Sequence, residues 1–485
     1  MTLKELQPTA IWHYFSEICT IPRPSKKEEQ VIQFMKDFGN RLGLETFEDE
    51  IRNVIIRKPA TPGMENRKPI VLQGHLDMVH QKNNDTVFDF ETQGIEMYVD
   101  GDWVRAKGTT LGADNGLGVA AIMAVLESTD IPHPAIEALF TIDEETGMTG
   151  ALNLQGGILQ GQILLNLDTE EDDEIDIGCA GGIDVTATAE YDEEDTPEGS
   201  VGYSITVKGL QGGHSGMDIH KGLGNANKIM NRLLFDGFDN FGLQIASIAG
   251  GSLRNAIPRE SVAKVIIAAV YDEAFVFDMQ QIVNEIKAEF KTTEPNLEIV
   301  FEKLTEVPAK VMPSIAQFYF VRSMYTAHNG VYRMSADFDN LVETSNNIAK
   351  VIVGEGQLTV QCLTRSSVES SKMDLANALR SAFELMGCEV EFSGAYPGWT
   401  PNPKSEILDV LVGIYEKQNN AKPNVVACHA GLECGILGTN YPEMDMISFG
   451  PTIHGAHSPD ERASISSSQK FWKFFLEILA SIPAK

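Results

Sequence analysis

Five short motifs gather most of the side chains in this sequence that could do chemistry. They are His75-Leu76-Asp77, Gly112-Ala113-Asp114-Asn115-Gly116, Asp143-Glu144-Glu145-Thr146, Asn166-Leu167-Asp168-Thr169 and His457-Ser458-Pro459-Asp460. Four of the five sit just after an apolar run that reads as a buried strand. Together they offer two imidazoles and several carboxylates, the donor set with which a pair of divalent ions holds a hydroxide. The chemistry they point to is that of a metal-dependent hydrolase.

Each motif also has a plainer reading. On an extended segment residues i and i+2 face the same side, so His75 and Asp77 can approach one site. A metal-bound histidine commonly donates its other ring N–H to a carboxylate, but spacing does not say whether Asp77 is that partner, and an isolated H-x-D triplet is more often structural. Asp114 lies in a glycine-flanked turn that also suits an Asx turn and helix N-cap. Glu144 and Glu145 are adjacent and diverge, so one can bind metal while the other stays free as a base; a solvated acidic loop is the plain reading. Asp168 closes the run Ile163–Leu167, where a buried carboxylate needs a partner. His454 and His457 share one loop, and on chemistry alone either could be the ligand. The order and spacing of the whole set carry more weight than any single member.

The elements that must position these groups alternate between strand and helix over the first 180 residues. Ser25-Lys26-Lys27-Glu28 has the form of a capping box and is expected to open a helix to about Leu42. Residues 52–57, 69–73, 135–142 and 162–167 read as strands, and 117–126 as a buried helix. Such a pattern predicts an α/β layer whose ligands gather at the carboxyl ends of its strands. The acidic, polar stretch 191–199 reads as a domain edge. From 202 to about 398 strands and helices form an independent α+β unit containing none of the five motifs. A helix near 405–418, a strand at 444–449 and a terminal helix 469–482 return to the α/β style. Since His457 must join ligands from 75–168, the middle unit is expected to be an insertion. The predicted organisation is a catalytic domain over 1–185 and 399–485, interrupted by 186–398.

Bulk properties narrow the field further. At 485 residues two domains are the default. The composition, 43% hydrophobic and 22% charged, is that of a globular protein. Thirty-eight basic against sixty-nine acidic residues give a formal charge of −31, which disfavours nucleic acid and anionic membranes as partners. No export signal is apparent, and no stretch approaches the roughly 20 apolar residues of a membrane helix. The six cysteines are dispersed without a C-x-x-C pair and read as free thiols. A cytoplasmic protein is expected.

The motif set resembles the M20 metallopeptidase family, and in particular its Xaa-His dipeptidase branch, over essentially the entire chain. The likeness extends to Arg57–Pro69, Gln81–Val87, Gly178–Asp184, Arg254–Arg259 and His429–Gly435. It implies a dizinc-peptidase catalytic domain, a mixed sheet flanked by helices, with an inserted α+β lid. It further implies that Asp114 bridges two zinc ions, with cobalt or manganese as substitutes. His75 and Asp168 would complete one site, Glu145 and His457 the other; the run Gly455–Glu461 selects His457 over His454. Asp77 would orient His75, and Glu144 would be the general base. His214 would be the lid histidine at the scissile carbonyl, Asn255 a lid residue on the substrate, and Arg365 a holder of the substrate carboxylate. The implied activity is hydrolysis of unblocked dipeptides, Xaa-His included, by a metal-bound hydroxide. Rival readings are an N-acyl amino acid deacylase or tripeptidase on the same scaffold, and a non-catalytic binding protein. The lid also implies a homodimer.

Overall fold

The computed structural model describes residues 3–485 apart from 84, 339 and 430, so Asn84 and Ala430, both within stretches quoted above, lie outside the described residues. The chain divides into two compact units. One takes in the residues up to Gly178 together with Trp399–Ala427 and Leu432–Lys485; the other comprises Cys179–Gly398 and Cys428–Gly431.

The first unit is built on an eight-stranded sheet. Strands Ile136–Thr141, Ile70–His75, Ile163–Asn166 and Asp445–Ser448 lie side by side and parallel. Their cores are continuous apolar runs such as Ile70-Val71-Leu72, fully buried, as expected of parallel strands covered on both faces. Glu45–Glu48 and Val54–Lys58 extend one edge in antiparallel fashion. Every motif but one leaves this sheet where a parallel strand ends or a buried helix begins. Helix Ala113–Glu127 is buried along almost its full length. Gly118 is required in it, because a Cβ there would stand 2.5 Å from the Leu167 carbonyl oxygen. The His457 loop instead joins the short antiparallel strands Ile453–His454 and Arg462–Ser464, in a four-stranded sheet with Trp103–Ala106 and Met97–Asp100.

The second unit carries a nine-stranded sheet whose strands pair antiparallel. Helices Ala226–Phe241, Asp272–Phe290, Ser314–Thr326 and Glu369–Glu384 accompany it. Its core joins alternate strand residues such as Ile205, Val207, Val265 and Val360 to Phe275, Phe320 and Phe383 from the helices.

Two local expectations are corrected. Helix Glu29–Arg41 begins without a side-chain cap. The Ser25 hydroxyl donates instead to Asp77 Oδ2 at 2.8 Å, and Glu28 Oε1 accepts from Lys26 N and, at 3.1 Å, from Asp143 N. A long-range carboxylate outcompetes the local box. The acidic stretch 191–199 lies inside the second unit, because strand Gly181–Glu190 before it already pairs with Gln357–Ser366 and Glu389–Tyr396. The crossover therefore falls at Gly178/Cys179 rather than after residue 185.

Candidate metal centre

His75 closes its strand and is 1% exposed. Its Nε2 stands 3.0 Å from Asp114 Oδ1 and 3.5 Å from Asp168 Oδ1. The second imidazole mirrors it. His457 Nε2 stands 3.1 Å from Asp114 Oδ2 and 2.9 Å from Glu145 Oε2. Asp114 thus presents one carboxylate oxygen to each of two imidazole–carboxylate pairs. It does so from the first turn of its helix, where its backbone is non-helical and the N-cap is Gly112, so its side chain does not cap. Asn115 donates at 2.6 Å both to the Leu167 carbonyl and to Asp168 Oδ1, fixing the Asp168 carboxylate against the helix.

Asp77 ties this cluster to the glutamate turn. His75 Nδ1 lies 3.2 Å from the Asp77 carbonyl oxygen and 3.3 Å from Oδ1. The Asp77 carboxylate also accepts from Glu144 N at 3.0 Å and Glu145 N at 3.3 Å. One side chain therefore sets both the tilt of an imidazole and the backbone from which Glu144 and Glu145 project. That turn starts at Asp143, whose left-handed φ of 50° is uncommon for a residue with a side chain.

The electrostatics follow from crowding. Burial and the nearby carboxylates Asp168, Glu145 and Glu433 push the Glu144 carboxyl well above the usual range. Glu145 is raised by burial and then by Asp114, and Asp168 by burial with Asp114 again adding. The Asp114 carboxyl meets the opposite outcome: burial raises it, but both imidazoles outweigh that and hold it far down. His457, bonded to Asp114 and Glu145, is pushed up to about 11. Burial would lower His75, yet Asp168, Asp114 and Asp77 hold it well above its ordinary value.

The donors fit divalent cations. His75, Asp114 and Glu145 offer atoms all within 4.8 Å of one another. Glu145 Oε1 is buried without a hydrogen-bond partner among the described residues, a deficit worth about 1–3 kcal/mol unless a cation meets it. Imidazole and carboxylate together suit zinc, cobalt or manganese. A second acidic group, Glu28, Asp77 and Asp143, differs: its carboxylates already accept from protein donors, including the Thr146 and Thr149 hydroxyls on Asp143.

Sequence reasoning missed several residues here. Arg23 and Glu461 are each 2% exposed, and Glu433 is 1% exposed. Glu433 accepts from Gln73 and Thr141, both at 2.6 Å, and burial pushes its carboxyl up to about 7. Glu170 is raised by burial, then by Asp114, to about 8. Glu433 and Glu461 both stood inside quoted motifs; a charge embedded in an otherwise apolar or glycine-rich run was the available signal. His454, set aside from the sequence, pairs with Glu171 at 3.2 Å, away from the cluster.

The second unit assembles its own group. His214 pairs with Ala256 in a short ladder of Gly213–His214 with Ala256–Ile257, and Asn255 adjoins it, its carbonyl accepting from Ser215 N at 2.8 Å. Asn347 holds that loop through the carbonyls of Arg254 at 3.1 Å and Ala256 at 2.8 Å. Arg365 is 5% exposed and donates to the Tyr396 hydroxyl at 2.8 Å, while its Nε has no partner among the described residues. On the neighbouring strand Ser345 meets His429 Nε2 at 2.8 Å. Burial, then Arg365, His214 and His220, push the His429 imidazole down to about 3.

A mixed sheet whose central strands run parallel, with imidazoles and carboxylates gathered beside it, is the arrangement of a metal-dependent hydrolase. Residues 71–481 match the model of peptidase family M20/M25/M40, and the chain belongs to that family. It is a peptide hydrolase that binds divalent metal. It is 44% identical to the cytosol non-specific dipeptidase of Escherichia coli, over 100% of this chain and 99% of that one. The crystal structure of aminoacylhistidine dipeptidase from Vibrio alginolyticus superposes with a TM-score of 0.93 at 45% identity, covering 100% and 98% of the two chains. Aminopeptidase PepT from Bacillus cereus shares the fold, with a TM-score of 0.57 at 15% identity and coverage of 98% and 99%. Among the described residues no helix is long and apolar enough to cross a membrane.

Proposed function

We propose that this chain is a dizinc dipeptidase acting on unblocked dipeptides, Xaa-His dipeptides among them. One observation carries the reading: the two oxygens of Asp114 face two separate imidazole–carboxylate pairs. His75, Asp114 and Asp168 would hold one zinc ion, and Asp114, Glu145 and His457 the other, with cobalt or manganese as substitutes. When bound, the metals supply Lewis acidity that makes water acidic and a peptide carbonyl electrophilic near neutral pH.

The chain's own groups do the rest. Glu144 takes the proton of the attacking water and returns it to the leaving amine, a role suited to a carboxyl raised by burial. Asp77 keeps the His75 ring and the Glu144 backbone in register. His214 donates to the carbonyl oxygen as charge builds there, Asn255 holds the substrate backbone, and Arg365 takes the substrate carboxylate. The unpartnered Nε–H of Arg365 supports that last role. The full-length likeness to dipeptidases from Escherichia coli and Vibrio alginolyticus supports the substrate class. The protein acts in the cytoplasm and as a homodimer.

A substrate panel tests this. The purified protein is expected to cleave Xaa-His, β-Ala-His and other free dipeptides while leaving a tripeptide and an N-acetyl amino acid intact. Cleavage of the acetylated substrate alone would make it a deacylase, cleavage of the tripeptide alone a tripeptidase, and no cleavage with metal bound a binding protein.

A further inference from the structure

Two buried, oppositely charged side chains grip the loop that carries Asp114, and they do so from different neighbours. Arg23 donates through one terminal nitrogen to the carbonyls of Leu76 at 3.0 Å and Asp77 at 2.9 Å, and through the other to the Gly112 carbonyl at 2.5 Å. It thereby joins the His75 segment to the Asp114 loop. Glu461 accepts from four successive backbone N–H groups: Leu111 at 2.7 Å, Gly112 at 2.9 Å, Ala113 at 2.7 Å and Asp114 at 3.4 Å. It lies four positions after His457, on a turn closed by Glu461 N donating to the Ser458 carbonyl at 3.0 Å. It thereby joins the His457 loop to the same Asp114 loop.

Gly112 sits at the crossing point. Its carbonyl accepts from Arg23 and, at 3.2 Å, from Gly116 N, and its N–H donates to Glu461, at a φ of 72°. A Cβ there would lie 2.6 Å from an Arg23 nitrogen and 2.8 Å from Met78 Sδ, so no larger residue fits without displacement. A charge this deeply buried is retained only when its hydrogen-bonding capacity is used. Here that capacity is spent on the backbone of ligand loops, the kind of support that fixes ligand geometry.

We infer that Arg23 and Glu461 are positioning residues with divided labour: Arg23 sets the His75–Asp114 metal site and Glu461 sets the His457–Asp114 site. The inference rests on the metal-ligand reading proposed above. A plain helix-capping role for Glu461 would lower stability but leave both metal affinities alike.

The test is zinc binding to metal-free protein, measured by competition with a chromogenic chelator, alongside kcat and KM for a dipeptide. Glu461→Gln cannot accept four N–H groups, because its amide nitrogen is a donor. It is expected to keep one zinc of parental affinity and to weaken the second at least tenfold, lowering kcat with KM within about twofold. Arg23→Lys is expected to weaken the other site by a similar factor. Combining each with His457→Ala separates the roles. Glu461→Gln should add no further metal loss to His457→Ala, whereas Arg23→Lys should weaken the remaining zinc at least tenfold. If Glu461→Gln does not fold, Glu461→Asp keeps the charge, shortens the reach and gives the same pattern at smaller amplitude. Two zinc ions of parental affinity in both variants, or equal weakening of both sites by each, would overturn the inference. Retention of both zinc ions by His457→Ala itself would instead overturn the ligand reading on which it stands.

Discussion

Asp114 and Asn347 are both polar side chains at the heart of their units, and their surroundings differ in kind. Asn347 is fully buried and meets complementary partners, two backbone carbonyls. Around it the second unit pairs neutral or unlike groups: Asn346 with the His328 carbonyl, Arg254 with Asp184, Ser345 with His429. Asp114 instead shares its space with Glu144, Glu145 and Asp168, and two imidazoles cannot balance four carboxylates. Two like charges about 4 Å apart repel by roughly 4 kcal/mol at the effective dielectric of a protein surface. The first unit concentrates charge of one sign where cations would relieve it; the second completes most of its hydrogen bonds internally. The crowded carboxylates around Asp114 are thus suited to cations, whereas the polar groups around Asn347 mostly hold backbone in place.

Three substitutions sharpen this contrast, in decreasing order of effect. Glu144→Gln keeps the shape of the turn and its backbone bonds to Asp77 but removes the proton acceptor. Turnover should fall by about 10²–10⁴-fold with zinc content unchanged. A variant retaining more than a tenth of the parental kcat would remove Glu144 from its role. Arg365→Met, in the second unit, should leave zinc content untouched and raise KM for a free dipeptide about tenfold or more, on the order of 1.4 kcal/mol of lost ground-state binding. An unchanged KM would place the substrate carboxylate elsewhere.

The smallest effect concerns stability. His429 has a folded-state pKa of about 3 against an ordinary 6.5. The unfolded chain therefore binds the extra proton between those values. The stability gained from the neutral, buried imidazole is present above pH 6.5 and lost as pH falls toward 3, on the order of 1 kcal/mol per pH unit. His429→Gln still reaches Ser345 but has no proton to gain. Urea unfolding at pH 7 and pH 4.5 should show a smaller acid loss in the variant; identical slopes would refute this assignment.

Part of the candidate centre was legible because three of its motifs follow a short local signal, an apolar strand ending near a carboxylate or histidine. The parallel strands 70–75, 136–141 and 163–166 deliver His75, Glu144 and Asp168 as those runs suggest. What was illegible is what acts at long range. Arg23 and Glu461 look like ordinary charges in sequence, yet their partners lie 53 or more positions away. Ser25 and Glu28 match a local capping pattern, and only the approach of Asp77 and Asp143 redirects them. The unit boundary was misplaced for a related reason, since the pairing of strand Gly181–Glu190 depends on residues 357–366 and 389–396.

Metal removal and return measures most directly whether two cations complete the Asp114 cluster. The protein should lose dipeptide hydrolysis when stripped by a chelator and regain it in proportion to added zinc, saturating at two ions per chain. Full activity in protein carrying no metal, or saturation at a single ion, would contradict it.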